Sequence, residues 1–253
     1  MKLTIKLKPF LLISALLFFS MQTYADNLNV AVASNFSRTL QLLAKDFESK
    51  NNHRLLISSA STGKLYTQIN HGAPFDIFLA ADEHRPNLLI EEGKARANMS
   101  AVYATGNLIF ISHINPETSC QNALNSPALK RLAIANPKTA PYGLAAQQTL
   151  DKLRLWKTIK AKLVMGENIA QSLQFVSTGN AQAGFVAKSM LLQGTKVNTA
   201  CEWKVPAEMH EPINQKMLVL ASASNKPAAK AFWQYMQSDD AKTIIKNSGY
   251  DVP

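Results

Sequence analysis

LNVAVASNFSRTLQLLAKDF, residues 28–47, changes its period halfway through. Leu28 to Ala33 reads as a strand, whereas Phe36, Leu40, Leu43, Ala44 and Phe47 recur at the three- and four-residue spacing of one helix face. Between the two patterns stand only Ser34 and Asn35. An apolar strand that passes through a short polar stop directly into a helix is the repeating step of an α/β protein. Three more stops of this kind follow, at Ser61-Thr62-Gly63, Tyr142-Gly143 and Glu167-Asn168.

The rest of the chain keeps the alternation. Leu55 to Ser59 is a strand before a helix carrying Leu65 and Ile69, which Gly72 closes ahead of Pro74. Further strands are expected at Asp76–Ala81, Leu108–Ser112, Leu132–Ala135, Lys162–Met165, Gly184–Ala187 and Lys216–Ala221. Helices are expected around 144–155, 169–176 and, as a tail, 228–246. Strands alternating with helices give mainly parallel sheets covered by helices.

In open α/β sheets a ligand sits beyond the carboxyl ends of the strands, in the loops that enter the helices. All four stops lie in such loops. Each helix start leaves about four N–H groups without intrahelical partners and carries a partial positive charge, so several starts brought together make an anion site. The side chains there are neutral: the hydroxyls of Ser34, Ser61, Thr62 and Tyr142 and the amides of Asn35 and Asn168. Ser, Thr and Asn are also ordinary helix caps, so a single stop carries little weight and the recurrence carries the argument.

The compartment is read from the first residues. Lys2, Lys6 and Lys8 precede an apolar run from Pro9 to Phe19, and Thr23-Tyr24-Ala25 supplies small residues at a cleavage site, so residues 1–25 are expected to be a cleaved signal peptide. The run is shorter than the roughly 20 residues a spanning helix needs. Without residues 1–25, which carry three lysines and no acid, the formal charge falls from +10 to +7. The remaining lysines are scattered, without runs or interleaved aromatics, which argues against nucleic acid. Cys120 and Cys201 are an even pair in a secreted chain and are expected to be bridged. The five histidines, His53, His71, His84, His113 and His210, show no paired metal-ligand spacing. No Gly-x-Ser-x-Gly elbow appears and no histidine lies in a stop, so a secreted hydrolase is disfavoured and the chain is not expected to be an enzyme.

Six segments together resemble the periplasmic molybdate-binding proteins of ABC transporters: VASNF (32–36), ASTGKL (60–65), GAPFDIFLAAD (72–82), ANPKTAPYG (135–143), GENIAQ (166–171) and GNAQAGFVA (179–187). The resemblance covers essentially all of the chain after residue 25. It implies a type II periplasmic binding protein fold, with two α/β lobes joined by a two-stranded hinge and closing over a tetrahedral oxyanion. Crossings near Thr105–Asn107 and Glu208–Pro212 would then assign residues 26–104 plus 213–253 to lobe one and 105–212 to lobe two. The ligand shell implied is Ser34 with Asn35, Thr62 with Ser61, Tyr142, and the backbone at Ile169 beside Asn168.

One branch of that family places its tyrosine just after the Gly-Phe-Val strand, where this chain has Ala187; Ala-Pro-Tyr-Gly matches the branch that supplies it at Tyr142. The implied ligand is molybdate or tungstate, with molybdenum held only inside the oxyanion and no cofactor. The implied partners are the membrane permease and ATPase of an ABC importer, served by a monomer in the periplasm. Sulfate or another tetrahedral anion is the alternative within the class. A cytoplasmic ligand-sensing regulator would share the fold, but the leader and the lack of a helix-turn-helix segment oppose it. His113 and His210, near the expected hinge, are the groups that would make binding pH-dependent if either belonged to the site.

Overall fold

The computed structural model describes residues 26–192 and 197–253. The expected signal peptide, residues 1–25, lies outside the described residues. The described chain forms two five-stranded sheets that share no strand.

The first sheet has the order β2-β1-β3-β10-β4, from β1 (Asn27–Ala33), β2 (Arg54–Ala60), β3 (Ile77–Leu79), β4 (Ala95–Gly106) and β10 (Ile213–Leu220). The second has the order β7-β6-β8-β5-β9, from β5 (Leu108–Ser112), β6 (Leu132–Ala135), β7 (Leu163–Gly166), β8 (Ala183–Ala187) and β9 (Cys201–Lys204). The alternation read from the sequence describes one half of each sheet. β1 is parallel to β2 and β3, and β6 is parallel to β7 and β8. The other half is antiparallel, because β10 runs against β3 and β4, and β5 runs against β8 and β9.

Period-two alternation divides each sheet between two cores. Leu28, Val30 and Val32 face a cluster with Leu40, Leu43 and Phe47 of α1 (Ser37–Lys50), Phe232 of α8 (Pro227–Tyr235) and Ile245 of α9 (Asp239–Asn247). On the opposite face Ala31 and Phe78 meet Leu65 and Ile69 of α2 (Thr62–Asn70) and Leu89 of α3 (His84–Glu91). The second sheet repeats the plan. Phe110, Leu132 and Ile134 pack on Ala146 and Leu150 of α4 (Pro141–Lys152). Ile109, Ile111 and Ala133 pack on Leu173 and Val176 of α6 (Ile169–Ser177).

Several elements differ from the reading above. β4, β9 and α3 were not expected, and the expected strand 76–81 is confined to Ile77–Leu79. The expected helical tail is two helices. Ser238 stands between them in an extended conformation and its hydroxyl accepts the Ala241 N–H, capping α9. The chain leaves the first sheet after Gly106, enters the second at Leu108, and returns through residues 205–212 into β10. Cys120 and Cys201 are bonded, tying the start of β9 to the short helical turn at Cys120–Asn125.

Candidate functional site

Three of the four polar stops begin directly at the carboxyl ends of β1, β2 and β7; the fourth, Tyr142-Gly143, lies inside the first turn of α4, six residues intervening after the end of β6. After Ala33 the chain turns tightly, with Ser34 N–H bonded to the Ala60 carbonyl (3.0 Å) and Phe36 N–H to the Ala33 carbonyl (2.9 Å). Ser61 holds the N-cap position of α2 in an extended conformation, yet its side chain makes no cap hydrogen bond. Thr62 Oγ1 accepts the Ala81 N–H at 3.0 Å, which leaves its own hydrogen to donate. Tyr142 is the second residue of α4, behind Pro141, whose missing N–H suits a first helical position. Gly143 is needed next to it, because a Cβ there would lie 2.2 Å from the Ala135 carbonyl oxygen.

Ile169 opens α6. The side chain of its neighbour Asn168 is committed to capping: Oδ1 accepts the N–H groups of Ala170 and Gln171, at 3.0 and 3.1 Å. Asn168 is a helix cap, and the first-turn N–H of Ile169 is left to others.

Ser34, Asn35, Ser61, Thr62, Tyr142 and Ile169 line one cavity, with Ala33, Ala81, Ala140 and Pro141 completing the wall. Four of the six come from the half of the molecule built on the first sheet and two from the other. Among the described residues no charged side chain lines it. Arg85 and Lys138 line a separate cavity of about 390 Å³, alongside Asp82 and Glu211. The site cavity measures about 10 Å³, roughly the space of one water. The two walls therefore stand close together. Hydrogen bonds join those walls at the rim: Gly63 N–H to the Thr139 carbonyl and Arg85 Nη2 to the Lys138 carbonyl, both at 2.8 Å. Lys64 and Glu167 make an exposed ion pair there at 3.4 Å.

Behind the cavity lies a buried polar network invisible to motif reading. Asn35 gives its amide hydrogens to Gln215 Oε1 (2.9 Å) and Tyr250 Oη (3.1 Å), so the donor it retains for the cavity is its main-chain N–H. Tyr103 Oη donates to Gln215 Oε1 at 3.1 Å, and Gln215 Nε2 donates to Tyr142 Oη at 3.4 Å. Ser189 and Tyr250 close the network at 2.8 Å. Burial pushes the hydroxyl pKa values of Tyr142, Tyr103 and Tyr250 upward, keeping all three protonated.

Tyr103, Gln215, Ser189 and Tyr250 were missed. Their one sequence signal is polar residues inside apolar strand or helix-end patterns. Ala187 ends β8, opposite Leu108, and does not line the cavity. Neither does His113, whose ring nitrogens lie against the carbonyls of Asn198 and Val176, nor His210, whose Nδ1 lies 2.7 Å from the Glu211 carbonyl. Among the described residues no cluster of three or more His, Cys, Asp or Glu could hold a metal ion, and no helix is long and apolar enough to cross a membrane.

Two α/β halves meeting over a cavity of neutral donors define a solute-binding protein of the type II periplasmic fold. The chain belongs to the family of bacterial extracellular solute-binding proteins, whose description matches residues 28–251. It is similar to the molybdate-binding protein ModA of Azotobacter vinelandii, 43% identical over 229 residues that span 90% of this chain and 91% of that protein. It is also similar to ModA of Rhodobacter capsulatus, 36% identical over 89% of this chain and 88% of that one. The solved structure of the Azotobacter vinelandii periplasmic molybdate-binding protein superposes with a TM-score of 0.82, at 35% identity, over 89% of this chain and 99% of that chain. The sulfate-binding protein SubI of Mycobacterium tuberculosis, at 13% identity and a TM-score of 0.72 over 90% of this chain and 86% of that one, shares the fold.

Proposed function

We propose that this protein captures molybdate, and tungstate alike, in the periplasm and delivers it as a monomer to the permease and ATPase of an ABC importer. The observation that carries the reading is the cavity of neutral donors between the two halves. A hydrogen bond to a charged group contributes about 1.5–3 kcal/mol, so the hydroxyls of Ser34, Ser61, Thr62 and Tyr142 with the first-turn N–H groups suffice for a dianion without a lysine or arginine. The identity to molybdate-binding relatives supports the choice of oxyanion.

In this reading residues 1–25 are removed as a signal peptide. Residues 26–104 plus 213–253 form one lobe and 105–212 the other, hinged at the two crossings between the sheets. Ligand contacts from both lobes stabilise the closed state by their differential affinity, and the closed state is what the importer reads. Titration calorimetry of residues 26–253 with molybdate, tungstate, sulfate and phosphate tests the reading. Molybdate and tungstate are expected to bind alike and sulfate at least about a hundredfold more weakly, a difference of roughly 2.7 kcal/mol. No heat with molybdate, or equal affinity for sulfate, would overturn it.

A further inference from the structure

We infer that Gln215 is a positioning residue for the oxyanion site: it fixes which way the Tyr142 hydroxyl points its hydrogen. The inference rests on the anion-binding reading and goes beyond the residues that line the cavity.

Gln215 is fully buried on β10, two residues past the point where the chain returns from the second sheet. Its Oε1 accepts from Asn35 and Tyr103, both of the first half. That assignment leaves Nε2 as donor, and Nε2 faces Tyr142 Oη of the second half. A phenol has one hydrogen. Because Tyr142 Oη accepts from Gln215, its own hydrogen is released towards the cavity that Tyr142 lines. The amide sense is thus set by two first-half partners and transmitted to a second-half ligand group.

Gly106 makes the meeting sterically feasible. It ends β4 opposite Ile213, and a Cβ there would lie 2.0 Å from Tyr142 Oη and 2.9 Å from Gln215 Nε2. The last residue of the first sheet before the crossing is therefore bare where hydroxyl and amide come together.

Gln215→Met keeps the volume and removes the amide. In a double-mutant cycle with Tyr142→Phe, read by molybdate calorimetry, Gln215→Met is expected to weaken binding about tenfold when Tyr142 is present and less than about twofold when Phe replaces it. Equal losses in both backgrounds, or wild-type affinity in the single variant, would overturn the inference. If Gln215→Met does not fold, Gln215→Glu serves in the same cycle. It keeps an oxygen for Asn35 and Tyr103 and replaces the donor by a second oxygen; its charge weakens anion binding in both backgrounds, so the loss at pH 8 is expected to be larger beside Tyr142 than beside Phe, and equal losses count against the inference. Should the wild type prefer sulfate over molybdate, the cycle is run with sulfate, and the positioning role stands or falls separately from the choice of anion. A wild type that binds neither anion would overturn both.

Discussion

The two walls of the cavity are built from different materials. The first-sheet wall presents mainly side chains, the hydroxyls of Ser34, Ser61 and Thr62, none of which caps its helix, with the main-chain N–H of Asn35 beside them. The second-sheet wall presents the ends of α4 and α6, where Pro141 and the Asn168 cap leave chosen main-chain N–H groups, with Tyr142 as its one hydroxyl. A side-chain wall is chemically specific and open to single substitutions. A main-chain wall is insensitive to side-chain identity and depends on how its helices are capped.

The largest effect that separates the walls is expected from Thr62→Asp. A carboxylate in a cavity of about 10 Å³ faces the anion directly, and loss of at least about a thousandfold in affinity, roughly 4 kcal/mol, is expected by calorimetry. Retention within tenfold would show that the first wall does not contact the anion.

Breaking Cys120–Cys201 probes the second half as a body. Closing an 81-residue span contributes about 2–5 kcal/mol of stability, so the Cys120→Ser/Cys201→Ser variant should unfold at lower urea. Its molybdate affinity should change less than about threefold, because neither cysteine lines the cavity. A parallel collapse of affinity would show that the second wall is held by the bridge.

Tyr142→Phe removes the second wall's hydroxyl and leaves Gln215 Nε2 without its acceptor. A loss of about 1.5–3 kcal/mol in binding is expected; wild-type affinity would remove Tyr142 from the shell. Asn168→Ala is a finer probe of the main-chain wall. Loss of the cap should lower stability by about 1 kcal/mol and affinity by less than about tenfold, and an effect as large as that of Thr62→Asp would make Asn168 a direct contact.

Smallest of all should be the effect of pH. Among the described residues no histidine or charged group lines the cavity, and burial raises the Tyr142 pKa well above its ordinary value, keeping it protonated. The neutral phenol is the donor, so its upward shift preserves binding as pH rises. Affinity should be flat from pH 6 to 8. A tenfold fall over that range, removed by His113→Gln or His210→Gln, would place an imidazolium in the site.

This contrast also explains how much could be read without coordinates. Strand-to-helix stops are local, so Ser34, Ser61, Thr62 and Tyr142 stand out from period and composition. For Asn168 a cap and a ligand donor look identical in sequence; the structure adds the two cap bonds from Ala170 and Gln171 to its Oδ1. β4 escaped because eight of its twelve residues are exposed or half-exposed and ARANMSAVYATG has no clean alternation. The antiparallel halves of both sheets follow from where β10 and β5 pair, and long-range pairing leaves no local mark. Gln215 and Tyr250 join Asn35 across 180 and 215 positions of chain, a distance no motif spans.

The hydrogen bond from Gly63 to the Thr139 carbonyl has a mechanical meaning as well. The Gly63 N–H sits one residue beyond Thr62, and a Cβ at Gly63 would lie 3.0 Å from Thr139 Cα. Any parting of the two walls at this point breaks that hydrogen bond, and a side chain at position 63 would already hold the two backbones further apart.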